Sequence, residues 1–310
     1  TSGMKRGNAL IGQPIERVED FRFLRGRGTF VADVNREGQL HAVIYRSPVA
    51  HGLLRSVDAQ IALNFPGVHA VITAQDFGAD VPVIPLRLQP LPELVPFRQP
   101  MLAHDKVRYV GEPIAIIVAD TAAIAEDALD WIEADIDALP PIIDRAGAEL
   151  GDVLLFDEHG SNSAIQWHAV RGDAEAAFAL ADYTRRETFK VQRHAALFME
   201  PRGFVAEWNA NEEKLTVWGA ANVAFANRTI LADAMSLSEN QIDMVEVDVG
   251  GGFGSRGEFY PEDFLIPFAA RHLNRPVKWI EDRREHLLTA NHARELECDV
   301  EIAATKDGKI

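Results

Sequence analysis

The sequence is poor in cysteine, because Cys298 is the one thiol among its 310 residues. A single thiol cannot form a disulfide within the chain, a cysteine-rich zinc site or an iron–sulfur cluster. Proteins of oxidising compartments commonly depend on disulfides, so this scarcity predicts a cytoplasmic location. Cys298 lies in a segment of strand character, and we expect its side chain to pack in the interior.

Basic residues and long apolar runs are also scarce. The chain has 31 Lys and Arg against 47 Asp and Glu, which gives a net charge of −16. A field of this sign repels phosphate backbones and anionic lipid, so neither nucleic acid nor a membrane surface is a predicted partner. No apolar run reaches the roughly 20 residues of a membrane-spanning helix, and the first residues lack the apolar stretch of a signal peptide.

The histidines do not follow the spacing of a metal site. Ten are present, but none has the HxH or HExxH spacing of many protein-bound metal ions. We therefore predict no metal held directly by side chains of this chain. No nucleophile elbow or serine–histidine–aspartate pattern is visible either, so these motifs assign no catalytic residue.

Strand and helix signals alternate along the chain and predict an α+β (mixed α/β) fold. At roughly 150 residues per domain, the length predicts two domains. Periodicity is lost in the glycine- and serine-containing residues 146–165, and we place the boundary there, with domains over 1–155 and 156–310. The proline-rich residues 80–100 predict an extended surface loop.

Individual elements are predicted from apolar periodicity and from capping residues. The predicted strands are 40–46, 57–62, 68–73, 114–119, 183–191, 203–208, 215–218, 242–249, 275–280 and 297–302. The predicted helices are 122–132, 174–180, 222–235 and 261–273. Residues 306–309, KDGK, predict a hairpin turn whose return strand would lie beyond Ile310. We therefore expect the sequence to be a fragment of a longer protein.

Residues 250–254, GGGFG, form a loop between a predicted strand and a predicted helix. Four glycines in five positions permit positive φ angles and leave N–H groups unobstructed, so the loop can hold phosphate or another anion. A tight turn without a ligand is one alternative. A dinucleotide site is another, because 252–257 match GxGxxG, although the helix is expected to begin only at Pro261.

The glycine loop and several other motifs, taken in order, resemble the large subunits of molybdenum hydroxylases: xanthine dehydrogenase, aldehyde oxidase and aerobic carbon monoxide dehydrogenase. The motifs are RYVGEP at 108–113, AEDA at 125–128, MEPRGFVA at 199–206, VGGGFG at 249–254, RPVKW at 275–279, RRE at 283–285 and NHAR at 291–294. The resemblance covers about residues 10–310. It implies a hammerhead-type domain followed by the first part of a molybdopterin-binding domain.

The resemblance also implies an activity, which is oxidation of an aldehyde, an N-heterocycle or carbon monoxide at a molybdenum–molybdopterin cofactor with water as the oxygen source. Electrons would then leave through an iron–sulfur subunit and an FAD subunit, since this chain lacks the cysteines for clusters. The family's catalytic glutamate belongs to the missing C-terminal half, so we expect 1–310 alone to be inactive.

The same resemblance assigns Gly251, Gly252, Phe253 and Gly254 to the cofactor contact, with the phenyl ring beside the metal face. Asn222 stands where the family usually carries a glutamine that bonds a molybdenum oxo ligand, and it is one methylene shorter. A helix N-cap is the alternative role for Asn222.

Two acidic residues have weaker assignments. Glu258 lies one position away from the family's substrate-side carboxylate, so a solvated acid is the alternative reading. We expect Glu200 to form an internal ion pair with Arg202 or Arg228.

Two other functions compete with the molybdenum hydroxylase. A non-catalytic scaffold that binds the cofactor or another subunit would suit a chain without the catalytic glutamate. A dinucleotide-dependent oxidoreductase would use the GxGxxG match.

Overall fold

The computed structural model describes residues 11–86, 91–219 and 222–310. Its strands, in chain order, are β1 (Leu40–Arg46), β2 (Gly52–Asp58), β3 (Val68–Thr73), β4 (Lys106–Val107), β5 (Pro113–Ala119), β6 (Glu133–Ala138), β7 (Tyr183–Val191), β8 (Gly203–Asn209), β9 (Lys214–Gly219), β10 (Ile242–Glu246), β11 (Val277–Ile280) and β12 (Leu296–Ala304). Its helices are α1 (Asp20–Leu24), α2 (Gln60–Leu63), α3 (Ala122–Leu129), α4 (Arg145–Leu150), α5 (Ala174–Ala179), α6 (Ala224–Met235), α7 (Pro261–Leu273) and α8 (Arg283–Thr289). The mixed α/β fold class is confirmed.

A seven-stranded sheet in the order β10-β9-β8-β11-β1-β5-β3 forms the centre of the molecule. Strands of the first half and of the second half meet where β1 pairs with β11 in parallel, with Leu40 opposite Val277. The Leu40 N–H also donates to Pro276 O at 2.8 Å. The sheet is therefore continuous across the predicted domain boundary, which itself stays a prediction.

Strand β5 is buried along its whole length, as its continuous apolar run predicts. Because side chains alternate across a strand, Ile116 faces the core beneath α6 and α7, whereas Ile117 faces the core beneath α3. Thr121 caps α3 through a bond from the Ile124 N–H to its side chain. The α7 helix begins at Pro261 as predicted, since proline suits the first helical position.

Several predicted elements differ in extent from those observed. The strand predicted at 57–62 lies earlier, at β2, and the short helix α2 replaces its second half. The strand predicted at 242–249 ends at Glu246, four residues before the glycine loop begins at Gly250. In the proline-rich segment, Pro92–Phe97 form a short 3₁₀ helix. No helix in the described ranges is both long and apolar enough to cross a membrane.

Strands β7 and β12 form a separate two-stranded ribbon in which Cys298 lies opposite Phe189. Cys298 is exposed, so the prediction of a buried thiol is wrong. The strand predicted at 297–302 is confirmed within β12, where Cys298, Val300 and Ile302 lie on one face. Within the described residues, however, that face stays accessible, with Phe189 59% exposed and Val300 48% exposed.

Candidate functional site

The glycine loop leaves the end of β10 and is anchored at its entry by Asp248. The Asp248 carboxylate accepts from Arg22 Nη2 at 2.7 Å and from the Thr29 N–H at 2.6 Å. The hydrogen bonds from Arg22 and Thr29 lower the pKa of Asp248 to about 2. This carboxylate therefore carries its charge throughout the neutral range and ties the loop to the N-terminal segment.

Close packing explains the glycines at the start of the loop. A Cβ atom at Gly250 would lie 2.4 Å from Glu200 Cβ, and one at Gly251 would lie 2.8 Å from Phe198 Cβ. Gly251 also has a φ of 108°, which side-chain-bearing residues rarely adopt. The backbone of the loop therefore lies against residues 198–200 at a distance that only glycine permits.

Phe253 has an unusual conformation. Its φ is 46°, in the left-handed region that costs a residue with a side chain roughly 1–2 kcal/mol. Its ring is nevertheless 76% exposed, so burial of that ring within the described residues does not offset the strain. Strained backbone of this kind concentrates at functional sites.

The loop also presents consecutive N–H donors. The N–H groups of Gly251, Gly252, Phe253 and Gly254 donate to no acceptor in the described part of the chain. Successive backbone N–H groups exposed in a turn form a concavity suited to an anion. The arrangement thus has the donors expected of a phosphate or oxo-anion site.

Glu200 and Arg256 lie together beneath this loop. Glu200 Oε2 accepts from the Gly250 N–H at 2.8 Å and from Arg256 Nη2 at 3.0 Å. The prediction that Glu200 pairs with Arg202 or Arg228 is therefore wrong. Arg202 and Arg228 bond other carboxylates, because the chain path brings the loop, rather than those residues, to Glu200.

Asn222 lies beside the loop, as the resemblance implies. Its Nδ2 atom is 3.2 Å from the position a Cβ would take on Gly252, and its N–H donates to Arg256 O at 3.4 Å. The alternative that Asn222 caps α6 is wrong, since Val223 is the N-cap residue and α6 starts at Ala224. The structure thus brings the predicted amide and the predicted glycines together.

Glu258 is exposed and lines a cavity of about 10 Å³ with Arg202, Tyr260 and Asp263. A space of this size admits about one water molecule. Burial raises the pKa of Asp263 to about 7. A substrate-side role for Glu258 stays a prediction.

A buried network of arginines and glutamates links the two halves of the sheet behind the loop. Glu262, in the first turn of α7, bonds Arg46 Nη2 at 2.7 Å and Arg202 Nη1 at 3.2 Å. Arg202 Nη2 bonds Glu281 Oε1 at 2.6 Å, and Arg46 Nε bonds Glu285 Oε1 at 2.9 Å. Although burial opposes ionisation, the two arginines hold the pKa of Glu262 below its usual value.

The turn at 108–113 completes this junction. Arg46 Nη1 donates to Gly111 O at 3.2 Å. Gly111 has a φ of 91°, and a Cβ there would lie 2.8 Å from Thr289 Cγ2 at the end of α8. The RYVGEP motif therefore packs the first half of the chain against the second.

Substituting Glu112 in this turn with glutamine is expected to change how stability depends on pH. Glu112 is 1% exposed, and burial raises its pKa from 4.5 to about 7. The neutral carboxyl is favoured in the folded state, so its contribution to stability is complete below pH 4.5 and is lost as the pH rises through 7. Relative to wild type, Glu112→Gln should be neutral near pH 4.5 and more stable by up to about 3 kcal/mol at pH 8.

Urea unfolding from pH 4.5 to pH 8 measures this difference. Glu126→Gln, at an exposed position of α3, is the control and should follow wild type at every pH. A Glu112→Gln curve parallel to wild type across the range would contradict the prediction.

Sequence reasoning missed the residues of the buried network. Arg46 ends an apolar strand and Glu262 follows Pro261, but neither position has a motif that identifies its partners. A charged residue at a position that the apolar periodicity predicts to be buried is the signal that could have identified them.

Across residues 11–86, 91–219 and 222–310, no group of three His, Cys, Asp or Glu side chains is placed to hold a metal ion.

Two family models match the chain. The molybdopterin cofactor-binding domain matches residues 155–310, which include the glycine loop. The α/β hammerhead domain of aldehyde oxidase and xanthine dehydrogenase matches residues 25–140.

Curated relatives align over nearly the whole chain. The nicotine 6-hydroxylase large subunit of Paenarthrobacter nicotinovorans is 36% identical over 97% of this chain and 37% of its own length. The carbon monoxide dehydrogenase large chain of Hydrogenophaga pseudoflava is 35% identical over 94% of this chain and 37% of its own length. The chain thus spans well under half the length of these relatives.

A solved structure shares the fold. The reconstituted CO dehydrogenase of Oligotropha carboxidovorans superposes with a TM-score of 0.84 at 32% identity, over 96% of this chain and 38% of that one. At this coverage the similarity extends across both halves of the chain.

Proposed function

The chain belongs to the molybdopterin cofactor-binding domain family, and we propose that it supplies one wall of the cofactor site in a molybdenum hydroxylase large subunit. The single observation that carries this proposal is the glycine loop at 250–254. Its consecutive free N–H groups lie beside the amide of Asn222.

The residues present fit an anionic pterin cofactor. Glycine at 250–252 keeps side chains off the loop, and the donors at Gly251–Gly254 suit phosphate or oxo oxygens, which accept strong charge-assisted hydrogen bonds. The exposed ring of Phe253 offers an apolar face next to these donors. The site therefore combines polar backbone and aromatic surface, as ligand sites commonly do.

Each residue has a separate task in this proposal. The loop N–H groups bind and orient the anionic part of the ligand, and Asn222 adds an amide that both donates and accepts. Phe253 excludes water from one side. When bound, the molybdenum–pterin group supplies the redox chemistry by which substrates are hydroxylated with oxygen from water.

The substrate class and the partners follow from the family. We propose oxidation of a small aldehyde, an N-heterocycle or carbon monoxide. The electrons pass to an iron–sulfur subunit and an FAD subunit, because one cysteine cannot ligate a cluster. The remainder of the large subunit closes the site, and the complex is cytoplasmic.

The two competing functions have less support. A dinucleotide site needs a helix that starts within the glycine motif, whereas Ser255–Gly257 form a 3₁₀ turn and α7 starts at Pro261. A non-catalytic scaffold is not favoured, because the relatives named above are a hydroxylase and a dehydrogenase.

The proposal is tested on the complete large subunit that contains this chain, purified with its partner chains. Molybdenum by mass spectrometry and pterin by fluorescence after oxidation should both be equimolar with the subunit. Gly251→Ala should lower both contents because its Cβ collides with Phe198, whereas Gly257→Ala, which meets no atom within 4 Å, should not. An active preparation that lacks molybdenum, or calorimetric NAD binding in its place, would refute the proposal.

A further inference from the structure

Arg256 bonds both the glycine loop and the residues that precede β8, and the proposed function gives these bonds no role. Its Nε donates to Gly251 O at 2.8 Å, and its Nη2 donates to Pro201 O at 3.1 Å and to Glu200 O. The side chain is 1% exposed and stacks over the Phe198 ring, with the guanidinium carbon 4.6 Å from the ring centroid. The Arg256 guanidinium therefore connects the loop to residues 198–201, which precede β8.

Glu200 bonds the same loop at Gly250, through both its backbone and its side chain. Its backbone N–H donates to Gly250 O at 3.3 Å, while its carboxylate accepts from the Gly250 N–H. The pair of bonds fixes Gly250 on both of its polar groups. The side chain is 16% exposed and bonds Arg256, so each buried charge is neutralised by the other.

The bonds from Glu200 and Arg256 engage the first two residues of the loop. Glu200 and Arg256 engage Gly250 and the carbonyl of Gly251, whereas the N–H groups from Gly251 onward stay without an acceptor in the described residues. The contacts thus restrain the loop without using the donors that face a ligand. The Arg202 network, in contrast, ties α7 and β11 to β1 and does not bond the loop.

We propose that Glu200 and Arg256 are positioning residues that form a clamp, which holds the glycine loop in the conformation that receives the cofactor. The assignment rests on the proposed function for its ligand, while the mechanical role rests on the contacts themselves. A preorganised binding loop avoids the entropy loss of ordering on binding. Outer residues that orient such contacts typically change affinity by about 10–100-fold when replaced.

The first test measures amide hydrogen exchange of the loop in the full chain without cofactor. Arg256→Gln removes the charge, and the Gly250, Ser255 and Gly257 amides should exchange about tenfold faster or more, the effect of losing one charge-assisted hydrogen bond. Arg256→Lys keeps the charge but cannot bond Gly251 O and Pro201 O together, so it should rescue only part of the protection. Arg228→Gln, which breaks an exposed pair with Glu239, is the matched control.

Global stability is measured on the same samples by urea unfolding. Faster exchange confined to the loop, with amides of β5 unchanged, supports the clamp. Unchanged loop exchange in Arg256→Gln, or an increase shared equally by β5, overturns it. If Arg256→Gln does not fold, Glu200→Gln and Arg256→Lys provide the same comparison.

A second readout separates the clamp from the proposed function. In the complete subunit, Arg256→Gln should lower molybdenum and pterin content about tenfold or more and Arg256→Lys less, at unchanged yield of folded protein. Unchanged cofactor content despite a loosened loop overturns the positioning role. A wild-type subunit without cofactor refutes the proposed function instead, and the exchange data then still decide whether the clamp restrains the loop.

Discussion

Replacing Arg202 with methionine is expected to lower the free energy of unfolding by about 3–5 kcal/mol at pH 7, the usual cost of breaking a buried ion pair. Arg202 is 3% exposed and bonds Glu262 and Glu281, which are 1% and 0% exposed. Methionine matches much of the volume but leaves two carboxylates short of a partner. Urea unfolding followed by tryptophan fluorescence measures the loss.

The control is Arg228→Met, which breaks the exposed pair with Glu239 and should cost about 0–1 kcal/mol. Arg202→Lys keeps the charge and should be intermediate. A difference between Arg202→Met and wild type of less than 1 kcal/mol would show that the network does not stabilise the junction.

Residues 1–310 by themselves are expected to bind the molybdenum–pterin cofactor about 10²–10⁴-fold more weakly than the complete large subunit. The chain corresponds to 37% of the length of the relatives described above, so it offers one wall of the proposed site. Loss of two charge-assisted hydrogen bonds from the opposite wall, at about 1.5–3 kcal/mol each, accounts for that range. Cofactor released from a donor protein, mixed with each preparation and separated by gel filtration, measures retention.

The complete subunit serves as the positive control in the same assay. Turnover of at least one of three substrates, an aldehyde, an N-heterocycle or carbon monoxide, should be measurable for the complete complex and absent for the isolated chain. Equimolar cofactor retained by 1–310 would contradict the prediction and favour the scaffold function.

The glycine loop and the sheet behind it are held in place by different sets of side chains. The glycine loop is restrained locally by Glu200 and Arg256, whereas the sheet behind it is joined through Arg46, Glu262 and Arg202. Loss of the first set should loosen the loop at nearly constant stability. Loss of the second should destabilise the whole sheet, so the two sets of variants can be told apart by experiment.

Local signals in the sequence were enough for many elements. The apolar run of β5, the threonine cap of α3 and the proline that starts α7 each act over a few residues, so propensity and capping predict them without knowledge of the tertiary structure. The glycines at 250–254 likewise predict a loop whose N–H groups are unobstructed. The resemblance of the ordered motifs to a known family also predicted the fold class and the family.

Tertiary structure alone decided which distant groups meet. Glu200 bonds Arg256, 56 residues away, rather than its near neighbour Arg202, because the loop is folded back on residues 198–200. The pairing of β1 with β11 and the exposure of Cys298 on its ribbon were equally invisible to periodicity. Periodicity reports which face of an element is apolar, but whether that face is covered, and by what, depends on the three-dimensional path of the rest of the chain.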